Sequence, residues 1–264
     1  MTLALAGCGG GGAPGAGGAG GAGGAAGSAG AGPSAHRVPT VVEVQEDCAG
    51  VFDTSRPETG EPATFEPDGT RAVVRGTLGV TTTERLQALL DEHPEVRTLV
   101  LANVPGTKKA EVSLDAARLV RSARLATCVP EGGTITSGGV DLFWAGVVRR
   151  VDPNYMRIAV HGWVTGECLP SGMCPVEPSA EDCIIGAELS LTDWRHDLFL
   201  DYYADIGIDE AWYWWSLNVA PNYCQPQFLI PYFVAAWRLP TSNACTHALP
   251  DAICDVPRGS FTES

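Results

Sequence analysis

Positive charge is scarce in this 264-residue chain: 17 Lys and Arg stand against 31 Asp and Glu, a formal charge of −14. Such a surface repels phosphate backbones and anionic headgroups alike, which argues against nucleic acid as a partner. After residue 35 no stretch is apolar for long enough to span a bilayer, and no internal repeat is visible, so neither a helical membrane bundle nor a solenoid is expected. Cys-x-x-Cys occurs nowhere, and only Cys245-Thr246-His247 sets a histidine close to a cysteine. That disfavours structural zinc, and no metal or other cofactor is expected. What is present, 45% hydrophobic and 18% charged residues, suits one globular core of respectable size.

The first of nine cysteines sits in Leu5-Ala6-Gly7-Cys8. This segment resembles the lipobox of bacterial lipoproteins, in which cleavage before the cysteine leaves it to be acylated. No Lys or Arg precedes it and its apolar run is short, as a start codon placed too far downstream would produce. Residues 9–37 are almost wholly Gly and Ala up to Ser34, a composition that buries no core and tethers a domain to an anchor. The folded domain is therefore expected over residues 38–264. The resemblance implies attachment to the bacterial cell envelope through lipidated Cys8.

The other cysteines are Cys48, Cys128, Cys168, Cys174, Cys183, Cys224, Cys245 and Cys254. An even number in an exported chain reads as up to four disulfides. Cys245 and Cys254 are the expected local bridge, because a short polar tail needs tethering; the remaining pairing is open.

From Arg71 the chain alternates strands and helices. Ala72-Val73-Val74 reads as a strand, and Thr81-Thr82-Thr83-Glu84 as a capping box opening a helix that turns Leu86, Leu89 and Leu90 inward. Arg97 to Ala102 is nearly all apolar, the signature of a strand buried on both faces. After a turn at Asn103-Val104-Pro105-Gly106, Val112, Ala116, Leu119, Val120 and Ala123 recur at helical spacing. Leu125 to Val129 and Met156 to Val160 read as further strands, with a helix from Gly138 to Gly146 between them. This β-α-β order predicts an α/β fold with a mostly parallel sheet and right-handed crossovers. Residues 165–189 read as a long disulfide-containing loop. Leu191 to Ile206 reads as a helix with Trp194, Leu198, Tyr202 and Ile206 on one stripe, Asp209 to Val219 as another, and residues 240–264 as an irregular tail.

Three segments, in order, resemble the proteolytic subunit of the Clp protease, a member of the ClpP/crotonase superfamily, over about Arg71 to Leu239. Leu101-Ala102-Asn103-Val104-Pro105-Gly106-Thr107 is similar to that family's strand ending in Asn-Ser-Pro-Gly-Gly. Gly133-Thr134-Ile135-Thr136-Ser137-Gly138-Gly139, continuing to Ala145-Gly146, is similar to the segment around its nucleophile, and Ile158-Ala159-Val160-His161 to the strand that ends in its histidine. The resemblance implies a superhelical ClpP/crotonase-like fold, Ser137 as nucleophile, His161 as general base, and the amides of Thr107 and Gly138 as oxyanion donors.

Two departures accompany it. Thr107 replaces the family's second glycine, and a β-branched residue would cost roughly 1–2 kcal/mol if that position needs positive φ. The family's aspartate falls near Gln225-Pro226-Gln227, where no carboxylate lies; Asn222, Asp141, Asp205 and Asp209 are the candidates to orient His161 instead. Without the resemblance, Ser137 reads as a helix-capping serine and His161 as a hydrogen-bonded histidine ending a strand. Two functions follow: an exported, lipid-anchored serine hydrolase acting on a peptide or small acyl substrate, or a non-catalytic binding lipoprotein that keeps the fold. Oligomeric state is not legible.

Overall fold

The computed structural model describes residues 37–51, 62–107, 109–152, 157–165, 184–220 and 227–229. All lie within one unit, Ala35–Ser264. Cys8, the Gly/Ala tether, Cys168, Cys174, Cys183, Asn222, Cys224, Cys245, Cys254 and the tail from residue 240 fall outside the described residues.

Helix α1 (Val41–Cys48) precedes an antiparallel pair, β1 (Thr64–Asp68) and β2 (Arg71–Arg75). There follow α2 (Thr82–Glu92), β3 (Thr98–Val104), α3 (Ala110–Ser122), β4 (Ala126–Val129), β5 (Thr134–Thr136), α4 (Gly138–Trp144), β6 (Arg149–Val151) and β7 (Arg157–Val160). A two-stranded ribbon, β8 (Val164–Thr165) with β9 (Ile184–Ile185), leads through short 3-10 turns to α5 (Asp197–Ile206) and α6 (Glu210–Val219), and β10 (Gln227–Phe228) closes the described chain.

The main sheet is mixed and mostly parallel. Its path runs β1-β2-β3-β5-β7-β10, with β1 and β10 antiparallel at the two ends. The sheet forks at β3. The first half of that strand pairs with β4, which continues to β6, and Asn103 and Val104 pair with β5, which continues to β7. All seven residues of β3 are buried, as an apolar strand with a layer on each face requires.

The period of two along β3 builds both layers. Leu99 and Leu101 join Ala72 and Val74 in the larger core with α2, α3, α4, α5 and α6, whereas Val100 and Ala102 join Val73, Val44 and Cys48 beneath α1. A disulfide between Cys48 and Cys128 ties α1 to β4. Asp47, beside it, accepts hydrogen bonds from Thr70 and Thr98 hydroxyls at 2.6 Å each.

Some expectations are corrected. The capping box opens α1, where Thr40 and Glu43 cap each other reciprocally, and not α2; Thr81 makes no side-chain cap bond there. Instead the Thr82 hydroxyl accepts from the Gly79 amide at 2.8 Å. The helix read from Leu191 begins only at Asp197, after a 3-10 turn, which leaves Trp194 74% exposed and outside the inward stripe. Among the described residues no helix is long and apolar enough to cross a membrane.

Candidate active site

The carboxyl ends of three neighbouring parallel strands meet at one cavity, the place where open α/β sheets hold ligands. β3 delivers Pro105, Gly106 and Thr107, β5 delivers Ser137, and β7 delivers His161. All five line a cavity of about 470 Å³, completed by side chains from α4, α5 and α6.

Ser137 is the residue between β5 and α4. Its backbone stands at φ 54° and ψ −126°, a conformation that L side chains enter only under strain. The turn is held from outside: the Ser137 amide donates to the Ala159 carbonyl at 3.1 Å, while the Ser137 carbonyl accepts from Val140 at 2.7 Å. Strand β7 therefore fixes the turn two residues before His161. Ser137 makes no side-chain cap bond to α4, so the helix-capping reading is not what the geometry gives. Gly138 follows as the first residue of α4, where a helix leaves its amide without an intrahelical acceptor.

Close approach explains the glycines. A Cβ on Gly106, whose φ is +121°, would stand 3.0 Å from the Ser137 Cβ. On Gly138 it would stand 2.8 Å from the Thr107 Cγ2, so these two backbones adjoin. Gly106 carries the positive φ, and Thr107 is not among the residues with one, so the backbone cost considered for Thr107 does not arise. The Thr107 hydroxyl shares its one proton between the carbonyls of Leu78 (3.1 Å) and Lys109 (2.7 Å), pinning the loop.

Gly139 is tighter still. A Cβ there would come within 2.5 Å of the Val104 carbonyl, a backbone atom of β3 that has no room to yield. Gly139→Ala would gain close to 1 kcal/mol in a free helix. Here it is expected to lose about 2 kcal/mol in a urea melt, because α4 must move off the sheet.

His161 stands 2.8 Å through Nδ1 from the Gly162 carbonyl. A carbonyl only accepts, so Nδ1 carries the proton and the neutral ring keeps its lone pair on Nε2. Burial holds the imidazole below the usual histidine range, an effect only partly offset by the Gly162 hydrogen bond. The neighbouring carbonyl thus fixes the tautomer that a carboxylate was sought to fix.

None of the described acids considered for that role bonds Nδ1. Asp205 pairs with Arg118 at 3.3 Å, and Asp209 caps α6 through the Ala211 amide. Asp141 does line the cavity, one helical turn past Ser137, but its Oδ1 accepts from the Tyr203 hydroxyl at 2.5 Å and its carbonyl from Tyr202 at 2.6 Å. Among the described residues no cluster of three or more His, Cys, Asp or Glu is placed to hold a metal ion.

Neighbours among solved structures include enoyl-CoA hydratases. One from Polaromonas sp. JS666 aligns with 13% identity over 38% of this chain and 51% of its own, at a TM-score of 0.30. A putative enoyl-CoA hydratase from Streptomyces coelicolor A3(2) gives 20% identity over 42% and 52%, at 0.28. One from Mycobacterium ulcerans Agy99 gives 20% over 38% and 55%, at 0.27. The chain spans about half the length of these hydratases. No family model matches it, nor does any curated protein.

Burial pushes the Asp141 carboxyl up to about 6, against the lowering effect of the Tyr203 hydrogen bond. With its folded value above its ordinary value of 3.8, Asp141 binds its proton more tightly in the native state, so it destabilises progressively as pH rises from about 4 to about 6. The shift corresponds to about 3 kcal/mol. Asp141→Asn, which keeps an acceptor for Tyr203, is expected to match the wild type at pH 4 and to exceed it by about that amount at pH 8. Paired denaturant melts at the two pH values check this, and parallel curves would contradict it.

An aromatic wall also lines the cavity. Trp163 Nε1 donates to the Tyr213 oxygen at 2.8 Å, and Tyr213 lies 2.6 Å from His196 Nδ1, whose Nε2 faces the Ser190 carbonyl at 3.1 Å. Indole only donates and a carbonyl only accepts, so the Tyr213 oxygen accepts from Trp163 and His196 carries a proton on the Nε2 that faces Ser190. The dense aromatic spacing in α5 and α6 signals a core, and in the non-catalytic reading the Trp212 to Trp215 segment serves recognition; Trp212 and Tyr213 are also part of the cavity wall.

Proposed function

We propose that this chain is a serine hydrolase in which Ser137 and His161 form a catalytic pair. The observation that carries the reading is the backbone of Ser137: a non-glycine residue at φ 54°, strained between strand and helix, on the wall of the cavity that His161 also lines. Such strain persists only where surrounding structure imposes it, and it concentrates at working sites.

In this reading His161 Nε2 takes the proton as Ser137 Oγ bonds to the acyl carbon. The amides of Gly138 and Thr107 hold the oxyanion, and the imidazolium returns the proton to the leaving group as its bond to carbon breaks. Water then repeats the sequence on the acyl-enzyme. Because burial lowers the affinity of His161 for its proton, the acid limb of the rate profile falls at lower pH than an ordinary histidine would give. Labelling with a fluorophosphonate tests the reading: the probe is expected on the Ser137 peptide, and an unmodified Ser137 would refute it.

Asp141 favours a second reading. A carboxyl that burial pushes up to about 6, on the wall of the same cavity, suits proton transfer to an enoyl or acyl compound. Hydration of a crotonyl ester that survives Ser137→Ala and is lost in Asp141→Asn would select it.

The setting proposed is the bacterial cell envelope, with Cys8 acylated. The Cys48–Cys128 disulfide supports it, since such bonds persist in oxidising compartments. Mass spectrometry of the mature N-terminus is expected to find a lipid-modified Cys8 in the membrane fraction; an unmodified Met1 on soluble protein would end the claim.

A further inference from the structure

Outside the groups assigned to catalysis, most side-chain donors of the cavity wall are already engaged. Ser113 Oγ donates to the Ala110 carbonyl and Ser216 Oγ to the Tyr213 carbonyl, both at 2.9 Å, and Thr107 Oγ1 shares its proton between Leu78 and Lys109. Tyr203 is committed to Asp141, and Trp163 and Tyr213 to the relay that ends at Ser190. Beyond Ser137, His161, Asp141 and the oxyanion amides, what mostly faces a ligand is the carbon of Val140, Val160, Phe199, Leu217 and the aromatic rings. No Lys or Arg lines the cavity among the described residues.

These observations restrict the occupant. An extended peptide needs partners for its own amides and carbonyls, and the described side chains of this wall have few donors left to offer its carbonyls. An acyl group on an anionic carrier, or one bearing a carboxylate, meets Asp141 and no cation. A volume of about 470 Å³ is that of a small-molecule site.

We infer that the cavity binds a small, uncharged, apolar acyl group presented to Ser137 as a neutral ester, and that it excludes peptide chains and charged acyl groups. The choice of an ester rests on the reading of Ser137 as nucleophile; the apolar occupancy does not. Hydrolysis releases an alcohol and a carboxylate, and the anionic product is the form that the cavity holds least well.

The test is a series of p-nitrophenyl esters on the full chain. Each buried methylene adds about 0.8 kcal/mol, or about fourfold, so kcat/KM is expected to rise at least tenfold from acetate to hexanoate and to fall below acetate for the hemisuccinate. Ser216→Phe, which fills the cavity from a half-buried position on α6, is expected to remove the preference for hexanoate over acetate. Flat or hemisuccinate-favouring rates on a Ser137 that fluorophosphonate labels would overturn the inference while sparing the hydrolase reading. If Ser137 is neither labelled nor active, that reading fails, and titration of Ser137→Ala with 4-phenyl-2-butanone decides the pocket. Saturable quenching of tryptophan fluorescence supports apolar occupancy, and its absence overturns it.

Discussion

Ser137→Gly is expected to abolish ester hydrolysis, by about 10⁴-fold or more, and to make the protein more stable. The first effect follows from losing the proposed nucleophile: removing the serine of such a unit leaves only what the oxyanion donors and binding supply. The second follows from the backbone. A serine at φ 54° and ψ −126° costs of order 1–3 kcal/mol, which glycine relieves. Glycine returns about 0.5–1 kcal/mol of that as extra freedom in the unfolded chain. The balance is a gain of about 1 kcal/mol, readable as a higher urea midpoint at unchanged slope. Ser137→Ala separates the two, since it removes the hydroxyl and keeps the strain, and it should lose activity without gaining stability. Hydrolysis that survives in either variant, or a glycine variant less stable than the wild type, would contradict the assignment. Stability gained by deleting a functional group is the mark of a site where function was favoured over folding.

Breaking the disulfide is expected to have the largest effect on stability. Cys48 and Cys128 are separated by 80 positions, and cross-linking a loop of that size removes about 4–5 kcal/mol of freedom from the unfolded chain. The Cys48→Ala/Cys128→Ala double variant should therefore melt roughly 10–15 °C below the wild type by circular dichroism. A reductant should bring the wild type down toward the variant and so narrow the difference. A drop of a degree or two would mean that Asp47 and the small core under α1 hold this face unaided. Activity on a short ester should survive in the cold, because the bond lies on the β4 arm of the fork and the cavity on the β5 arm.

Much of the fold was legible because its signals are local. The apolar run that became β3, the periodic leucines of α2 and the alternation of strand and helix are carried by residues close in sequence. Helix α1 was not legible: Val41, Val42 and Val44 favour a strand, and what makes them helical is a reciprocal cap at Thr40 and Glu43 together with a cross-link to a residue far along the chain. Trp194 misled in the opposite sense. Its spacing fits the stripe of α5, but a 3-10 turn changes the angular step before the helix begins and swings it outward.

The site divides along the same line. That Ser137, Gly138, Thr107 and His161 line one cavity could be read because each lies at or just past the end of a strand, at a motif. That Asp141 pairs with Tyr203, 62 positions away, could not be read, since it depends on how α5 packs against α4. Nor could the partner of His161: a backbone carbonyl one residue on has no side-chain signature, so a search among carboxylates could not find it.

The fork at β3 bears on how the chain avoids folding with its strands misaligned. A strand with one apolar face has its alignment imposed by hydrophobicity, because a slip of one position turns that face to water. β3 is apolar on both faces, so a slip would merely exchange Leu99 and Leu101 for Val100 and Ala102 between two dry layers, a weak penalty. Alignment must be encoded elsewhere, and two features can encode it. Thr98 reaches Asp47 with its hydroxyl at one end, and Gly106 makes the turn at the other that only glycine tolerates. Between these pegs β3 can meet β4 and β5 in one frame, so the few polar and glycine atoms bordering the strand, more than its seven buried residues, keep Ser137 opposite its cavity.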